Sequence, residues 1–398
     1  MKCTGTTPAK MPRSENRRCG TARRCEGFLT MSRAFCCLAL GFGSMFATGF
    51  AAPAAPAVPA PAGVLAVMER VADWQLAHSP ADRPRDGWVQ AAGYTGIMAL
   101  SGISKSPRFE EAMMKMGAEN QWKPAGRIYH ADDHCVLQTY IELYTHHPDK
   151  AMLAPAIERF DTILASPTPV GNEFKAPDRV INYWWCDALY MGPPAWIGLW
   201  KATGKAAYLD FALENWWKTS DFLYDKEEHL YFRDATYFTR RESNGKKIFW
   251  SRGNGWVVGG LVHVLQLLPA GHPARARFEQ QFREMMAKLV TLQADDGFWR
   301  SSLLDPAEYP AQEASGTGFF CYGLLWGVNQ DLLDRATYLP AALKGWAALS
   351  TCVQPDGKLI HIQPIGADPK KFDENSTEPY GVGSFLLAGS ELFRVRSL

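Results

Sequence analysis

From Gly63 onward the chain alternates two kinds of helical segment, and this alternation restricts its fold more than any other feature. Apolar residues at helical spacing predict helices near 63–79, 88–103, 107–119, 131–146, 153–166, 185–203, 206–223, 254–268, 273–293, 316–329, 338–352 and 381–395. Odd members of the series are amphipathic and charged, as in Ala274-Arg275-Ala276-Arg277-Phe278-Glu279-Gln280-Gln281-Phe282. Even members are apolar nearly all round, as in Gly255-Trp256-Val257-Val258-Gly259-Gly260-Leu261-Val262. A helix without a polar face must be enclosed by protein, whereas an amphipathic one can cover it and still face water. Enclosed helices alternating one for one with covering helices describe an all-α (α/α)6 barrel, an inner ring within an outer ring. Period-two alternation is confined to short pieces at 229–233 and 358–362, and Gly192-Pro193-Pro194 predicts a break inside the sixth segment.

A polar and aromatic cluster precedes each even segment: Asp86-Gly87-Trp88, His130 to His134, Tyr183 to Asp187, Ser251 to Trp256, Glu313 to Thr317, and Glu378 to Gly381. In a parallel inner ring these six helix N-termini converge on one mouth, where unpaired N–H groups and positive dipole ends favour an anionic ligand. Asp, Ser, Asn and Thr before a helix usually serve as N-caps, and Ser315 and Asn254 read that way. Trp185 beside Asp187 does not, because an indole contributes nothing to a cap.

The remainder of the chain sets the context. Residues 1–52 form a basic N-terminal extension that includes a secretory signal: Met31-Ser32-Arg33, an apolar run from Ala34 to Phe42, then small residues with a cleavage site near Ala51 to Ala54. Residues 53–62 are a Pro/Ala linker, and residues 63–398 are one barrel domain. A secreted or periplasmic protein follows, without stable membrane insertion after cleavage. Five of nine cysteines lie in the first 52 residues; Cys135, Cys186, Cys321 and Cys352 sit in apolar helical patterns and read as buried thiols. A net charge of +1 gives no nucleic-acid footprint. The 14 tryptophans, 14 tyrosines and 21 phenylalanines suit either a large aromatic core or stacking on sugar rings.

Candidate chemistry gathers at the predicted mouth. A carboxyl group among aromatics resists ionisation and can donate a proton near neutral pH, a role that fits Asp187. Asp132 or Asp133 supplies a second carboxylate. Arg252, between Trp250 and Trp256, reads as a ligand-facing cation able to hold a carboxylate bidentately. Arg233 and Lys246 are further cations, the latter more simply an exposed surface charge. His130 and His134 have a zinc-like i, i+4 spacing but no matched third ligand, so neither a metal nor another cofactor is expected. No nucleophile elbow, phosphate loop or dinucleotide fingerprint occurs.

Taken together, ADDHCVLQTYIELY (131–144), NYWWCDALYM (182–191), SRGNGW (251–256), DGFWRSSLLDPAEYPAQEASGTG (296–318) and EPYGVGSFLLAGSEL (378–392) resemble the unsaturated rhamnogalacturonyl hydrolases of glycoside hydrolase family 105 and their relatives in family 88. The resemblance implies a hydrolase that removes a 4,5-unsaturated uronic acid from the non-reducing end of oligosaccharides made by polysaccharide lyases. It implies Asp187 as general acid/base, with Asp132 or Asp133 as the other family aspartate. Trp185 would line the uronate subsite, and Arg252 with Trp256 would form the carboxylate-side wall. Trp88, His130, Arg233, Trp299 and Thr317 would complete the substrate lining. One departure stands out: rhamnogalacturonyl members carry a histidine after a Leu-Tyr-Tyr-like run, and this chain has Arg233 after Leu230-Tyr231-Phe232, which leaves the linkage open. The competing readings are another sugar-active barrel enzyme (glycosidase, lyase or epimerase) and a noncatalytic oligosaccharide-binding barrel.

Overall fold

A computed structural model describes residues 57–166, 170–171 and 181–396. The secretory signal and most of the linker expected at the N-terminus lie outside these residues. Among the described residues no helix is long and apolar enough to cross a membrane.

Thirteen helices account for nearly all regular structure in those residues. They are α1 (Pro61–Ala77), α2 (Trp88–Ser101), α3 (Arg108–Glu119), α4 (Val136–His146), α5 (Lys150–Ala165), a single turn α6 (Ala188–Met191), α7 (Pro193–Thr203), α8 (Ala206–Leu223), α9 (Ser251–Leu267), α10 (Arg275–Val290), α11 (Ala314–Asn329), α12 (Arg335–Thr351) and α13 (Pro379–Arg394). Helices α2, α4, α7, α9, α11 and α13 contact one another in that order, and α13 closes on α2. The outer helices lie over them, α3 on α2 and α4, α5 on α4 and α7, α12 on α11 and α13. This is the (α/α)6 barrel that the alternation predicts.

The patterning explains the placement. Every residue of α11 from Ala314 to Val328 is buried, as an inner helix requires. Outer helix α3 buries only Phe109, Met113, Met116 and Gly117, one stripe at helical spacing. The inner ring is tightest between α2 and α13, where a Cβ on Gly96 would collide with the backbone of Gly383. Small residues at that crossing let two helix backbones meet directly.

Several boundaries differ from the sequence expectation for identifiable reasons. Pro61 opens α1, so the last two linker residues are helical; proline suits a first helical position because its missing N–H is not needed there. The segment expected at 131–146 begins as a 3-10 turn (Ala131–His134) before α4. The expected break at Gly192-Pro193 separates α6 from α7. Of the two expected β pieces, the first contributes β2 (Leu230–Tyr231), antiparallel to β1 (Tyr224–Asp225), and the second makes one bridge, Val353 to Leu359. All four described cysteines are buried free thiols.

Candidate active site

Asp187 sits in the turn that opens α6. Three backbone anchors fix that turn: the Cys186 N–H donates to the Arg233 carbonyl at 2.9 Å, the Thr219 hydroxyl to the Tyr183 carbonyl at 2.9 Å, and the Ala188 N–H to the Trp185 carbonyl at 3.1 Å. Asn254 in the first turn of α9 pins the adjoining strand, accepting from the Tyr231 N–H at 2.8 Å and donating to its carbonyl at 3.1 Å. The position of Asn254 therefore differs from the expected cap: it is a strap that registers β2 against α9.

Although Asp187 occupies the N-cap position of α6, its side chain makes no capping hydrogen bond. It is 7% exposed. Burial pushes its carboxyl up to about 6, against the opposing charges of Arg233 and Arg252. The nearest cation atom, Arg233 Nε, is 3.6 Å from Asp187 Oδ2. Arg233 is itself held by a 2.8 Å bond to Asp234 and lies with its guanidinium 5.0 Å from the Trp184 ring, while Nε has no hydrogen-bond partner. Burial drives the neighbouring Cys186 thiol well up, so it is no thiolate nucleophile.

The structure separates the two adjacent aspartates of the 3-10 turn. Asp133 is consumed by Arg127, taking its Nε at 3.0 Å and Nη2 at 2.6 Å on one oxygen and its backbone N–H at 2.6 Å on the other. Asp132 makes only a looser pair with Arg127, 3.6 Å from its Nη2, and feels the charge of Asp187. Burial lifts its carboxyl to about 7, helped by repulsion from Asp187 and Asp133 and opposed by Arg127 and Arg233. His130 packs on Trp185 with ring centroids 4.8 Å apart, its Nδ1 3.6 Å from Asp132 Oδ2, and burial holds it neutral with a value lowered to about 4. Two carboxyl groups with raised proton affinity thus lie within charge range of each other and of Arg233, with Trp185 packed on His130 beside them.

Other expected site residues lie elsewhere. Arg252 is buried between Trp250 and Tyr380, its guanidinium 4.3 Å and 4.9 Å from their rings. Its two terminal nitrogens already donate to the carbonyls of Gln363 and Pro364, at 2.8 and 2.9 Å. The bidentate grip expected of Arg252 is occupied by backbone in this structure; its charge still reaches Asp187. Trp88 is half-buried and stacks on Tyr380 at 5.5 Å. Trp256, Trp299 and Thr317 lie behind the mouth rather than on it. Trp256 is enclosed by Trp88, Tyr190, Phe319 and Tyr380. The Trp299 indole donates to the Leu289 carbonyl at 2.7 Å, and the Thr317 hydroxyl donates to the Glu313 carbonyl at 2.7 Å and accepts from the Trp299 N–H at 3.1 Å. Lys246 is exposed in the turn from Glu242 to Lys246. At α11 the cap is Glu313, whose carboxylate accepts from the N–H groups of Ser315 and Gly316 and from the Ser315 hydroxyl, so Ser315 is capped rather than capping.

Sequence reasoning passed over Asp234 and Gln363. Gln363 joins the loops behind the site: its side-chain oxygen accepts from the Trp250 indole at 2.8 Å and the Ser301 hydroxyl at 3.1 Å, and its carbonyl from Tyr380 at 2.7 Å. Asp234 carried a signal, being a carboxylate directly after the cation Arg233, just past a short strand. Gln363 carried none, because it lies in an irregular loop and its partners are distant in sequence.

Residues 67–396 match the profile of Glycosyl Hydrolase Family 88. The chain belongs to that family. A curated relative from Formosa agariphila, the Unsaturated 3S-rhamnoglycuronyl hydrolase, is 36% identical over 340 residues, covering 83% of this chain and 90% of the relative. The solved glycosyl hydrolase family 88 protein from Bacteroides vulgatus is 32% identical with a TM-score of 0.76, over 84% of this chain and 99% of that one. A protein solved as a polysaccharide lyase is 35% identical with the same TM-score of 0.76, over 84% of this chain and 97% of that one. This family 88 chain is a glycoside hydrolase of the class that acts on unsaturated uronic acid at the non-reducing ends of oligosaccharides. Solved structures from family 88 and family 105 alike share its fold.

Proposed function

We propose that this family 88 enzyme removes the unsaturated uronate from a rhamnose-linked oligosaccharide, with Asp187 and Asp132 as the reacting carboxyls. The observation that carries the reading is that both groups are buried with raised proton affinity and both feel the charge of Arg233, which lies 3.6 Å from Asp187. The rhamnose leaving group is suggested by the name of the Formosa agariphila relative.

The substrate's reacting bond is an enol ether, with C4=C5 conjugated to the ring oxygen and the carboxylate. Asp187 transfers its proton to C4, and positive charge develops at C5 and the ring oxygen. The Asp187 carboxylate left by that transfer, or Asp132, then takes a proton from a water molecule that adds at C5. The resulting hemiketal opens by breaking the bond from C5 to the ring oxygen, leaving a ketone at C5. The hemiacetal so exposed at C1 then releases the rest of the oligosaccharide as an alcohol. Attack at the anomeric carbon plays no part, so the spacing rule for paired carboxylates in ordinary glycosidases does not apply. Arg233 balances negative charge on Asp187 after transfer, and Trp184 and Trp185 form the wall beside it.

The test supplies lyase-generated unsaturated disaccharides ending in rhamnose, with and without a 3-sulfate group, beside unsaturated pectin and glycosaminoglycan disaccharides. Hydrolysis removes the conjugated double bond and lowers ultraviolet absorbance; a lyase acting on intact polysaccharide would raise it. Absence of loss with every disaccharide, or a rise with polymer, refutes the reading. The apolar run and small-residue exit of residues 34–54 support secretion or export to the periplasm. N-terminal sequencing of protein recovered from outside the cytoplasm, with a start near residues 52–55, tests that part.

A further inference from the structure

Glu313, Asp187 and Glu378 all stand at N-cap positions around the catalytic mouth, yet only Glu313 caps its helix; the other two side chains make no capping hydrogen bond. Along the inner ring α13 is three places from α7 in either direction. Glu378, which precedes α13, therefore lies across the mouth from Asp187, in the turn that leads into α7. We propose that Glu378 and Arg83 form the subsite for the neutral sugar that leaves, its hydroxyls donating to the Glu378 carboxylate and accepting from the Arg83 guanidinium. This subsite presupposes the hydrolytic reaction above and locates its leaving group.

Local geometry leaves both charged groups open. Pro379 has no N–H to be capped, and those of Gly381 and Val382 bond to the Glu378 main-chain carbonyl at 3.0 and 3.3 Å. The cation nearest the carboxylate is Arg83, with Nη2 3.6 Å from Oε1, and Arg83 in turn pairs otherwise with Asp82 at 4.0 Å. Both separations exceed a hydrogen bond, and neither the Glu378 nor the Arg83 side chain makes one among the described residues. A hydroxyl set between them can donate to one and accept from the other. The Glu378 side chain is 11% exposed against 10% for Asp187, so a ligand that reaches one can reach the other, and Arg83 is more open still at 34%.

Position and charge favour the leaving sugar over the uronate. In the substrate ring C1, which bears the leaving group, lies opposite C4, so with C4 at Asp187 the glycosidic oxygen points across the mouth. The uronate carboxylate on C5 then stays beside Arg233, away from repulsion by Glu378. The Arg83 and Glu378 pair carries no net charge, which suits a neutral hydroxylated ring. Arg252 lies within charge range of both ends: burial raises the proton affinity of Glu378 against Arg83 and Arg252, with Asp82 adding to the rise, and Asp187 feels the same Arg252. Trp88, the first residue of α2, stacks on Tyr380 two residues beyond Glu378 and is only half-buried, which leaves indole surface for the C–H face of a sugar.

Steady-state kinetics of the full-length protein on two substrates with the same unsaturated uronate test the assignment. One is the disaccharide that releases rhamnose, the other the methyl glycoside that releases methanol. In Glu378→Gln, kcat/KM for the disaccharide should fall about tenfold or more, the loss of a charge-assisted hydrogen bond, with the change mainly in KM. Because the methyl glycoside lacks the contacted hydroxyls, the preference of the parent for the disaccharide should shrink by the same factor. Arg83→Gln, on the half-exposed loop before α2, should shrink that preference by a smaller factor and keeps the test open if Glu378→Gln does not fold. A parent without preference for the disaccharide, an equal loss on both substrates, or no loss on either would overturn the subsite while leaving the hydrolase reading intact. A parent that turns over neither substrate would refute the hydrolase reading and the subsite with it.

Discussion

Asp187 Oδ2 and Arg233 Nε face each other at 3.6 Å with both side chains largely shielded from water. The separation is too long for a hydrogen bond and short enough for full electrostatic coupling. Arg233 is the leading influence against the burial that raises Asp187. The arginine that departs from the family's histidine therefore sets how tightly the neighbouring acid holds its proton.

Removing that charge should move the pH profile. In Arg233→Met the alkyl stem still covers Trp184, but Asp187 loses its main opposing charge and remains protonated to higher pH. The alkaline limb of kcat/KM is expected to shift upward by about one unit. A profile that falls in height without moving would make Arg233 a substrate contact only.

Asp187→Asn removes the proton donor while preserving shape. Turnover of unsaturated disaccharide should fall by about 100-fold to 10,000-fold with little change in substrate affinity. Ultraviolet assays for rate, together with binding of substrate to the inactive variant, check both halves. Substantial residual turnover would move the acid elsewhere.

The ring order and the mouth were legible in the sequence because each rests on a local signal. An all-apolar helix such as α11 has nowhere to go but inside, and a carboxylate behind two tryptophans is unusual for a cap. What escaped depends on contacts far apart along the chain. SRGNGW displays an arginine between tryptophans but not that the backbone at Gln363 and Pro364 takes its nitrogens. ADDH shows two equivalent acids, and only the approach of Arg127 makes them different.

The difference between the adjacent aspartates yields a paired test. Asp132→Asn should lower kcat with the melting temperature maintained or raised. Asp133→Asn should do the reverse, because it loosens the three bonds from Arg127 that hold the loop before the 3-10 turn, at about 1–3 kcal/mol of stability. Thermal melts and steady-state kinetics on both variants decide; a large kcat loss in Asp133→Asn without destabilisation would reverse the assignment.

Closure of the inner ring depends on glycine at the crossing of α2 and α13. A methyl group on Gly96 meets the Gly383 backbone, and backbone cannot rotate away as a flexible side chain can. Gly96→Ala should therefore cost about 1–3 kcal/mol or more through overpacking, despite the better helix propensity of alanine. A stabilised variant in chemical denaturation would show that the two helices separate without penalty.

The catalytic carboxyls should themselves burden the fold at neutral pH. Both have folded values raised above the ordinary 3.8, Asp187 to about 6 and Asp132 to about 7. In the folded protein the ionised forms are disfavoured, so stability is fully present below about pH 4 and is lost as pH rises through about 6 to 7. An asparagine at either position has no such titration. Relative to the parent, Asp187→Asn and Asp132→Asn should melt higher at pH 8, by roughly 2–6 °C for a domain of this size, with the gap closing toward pH 5. Comparing each variant with the parent at both pH values cancels other titrating groups, such as Glu142, that are common to both. A gap that is absent at pH 8, or that widens on acidification, would mean that these carboxyls are ionised in the fold without cost and are not poised to share a proton.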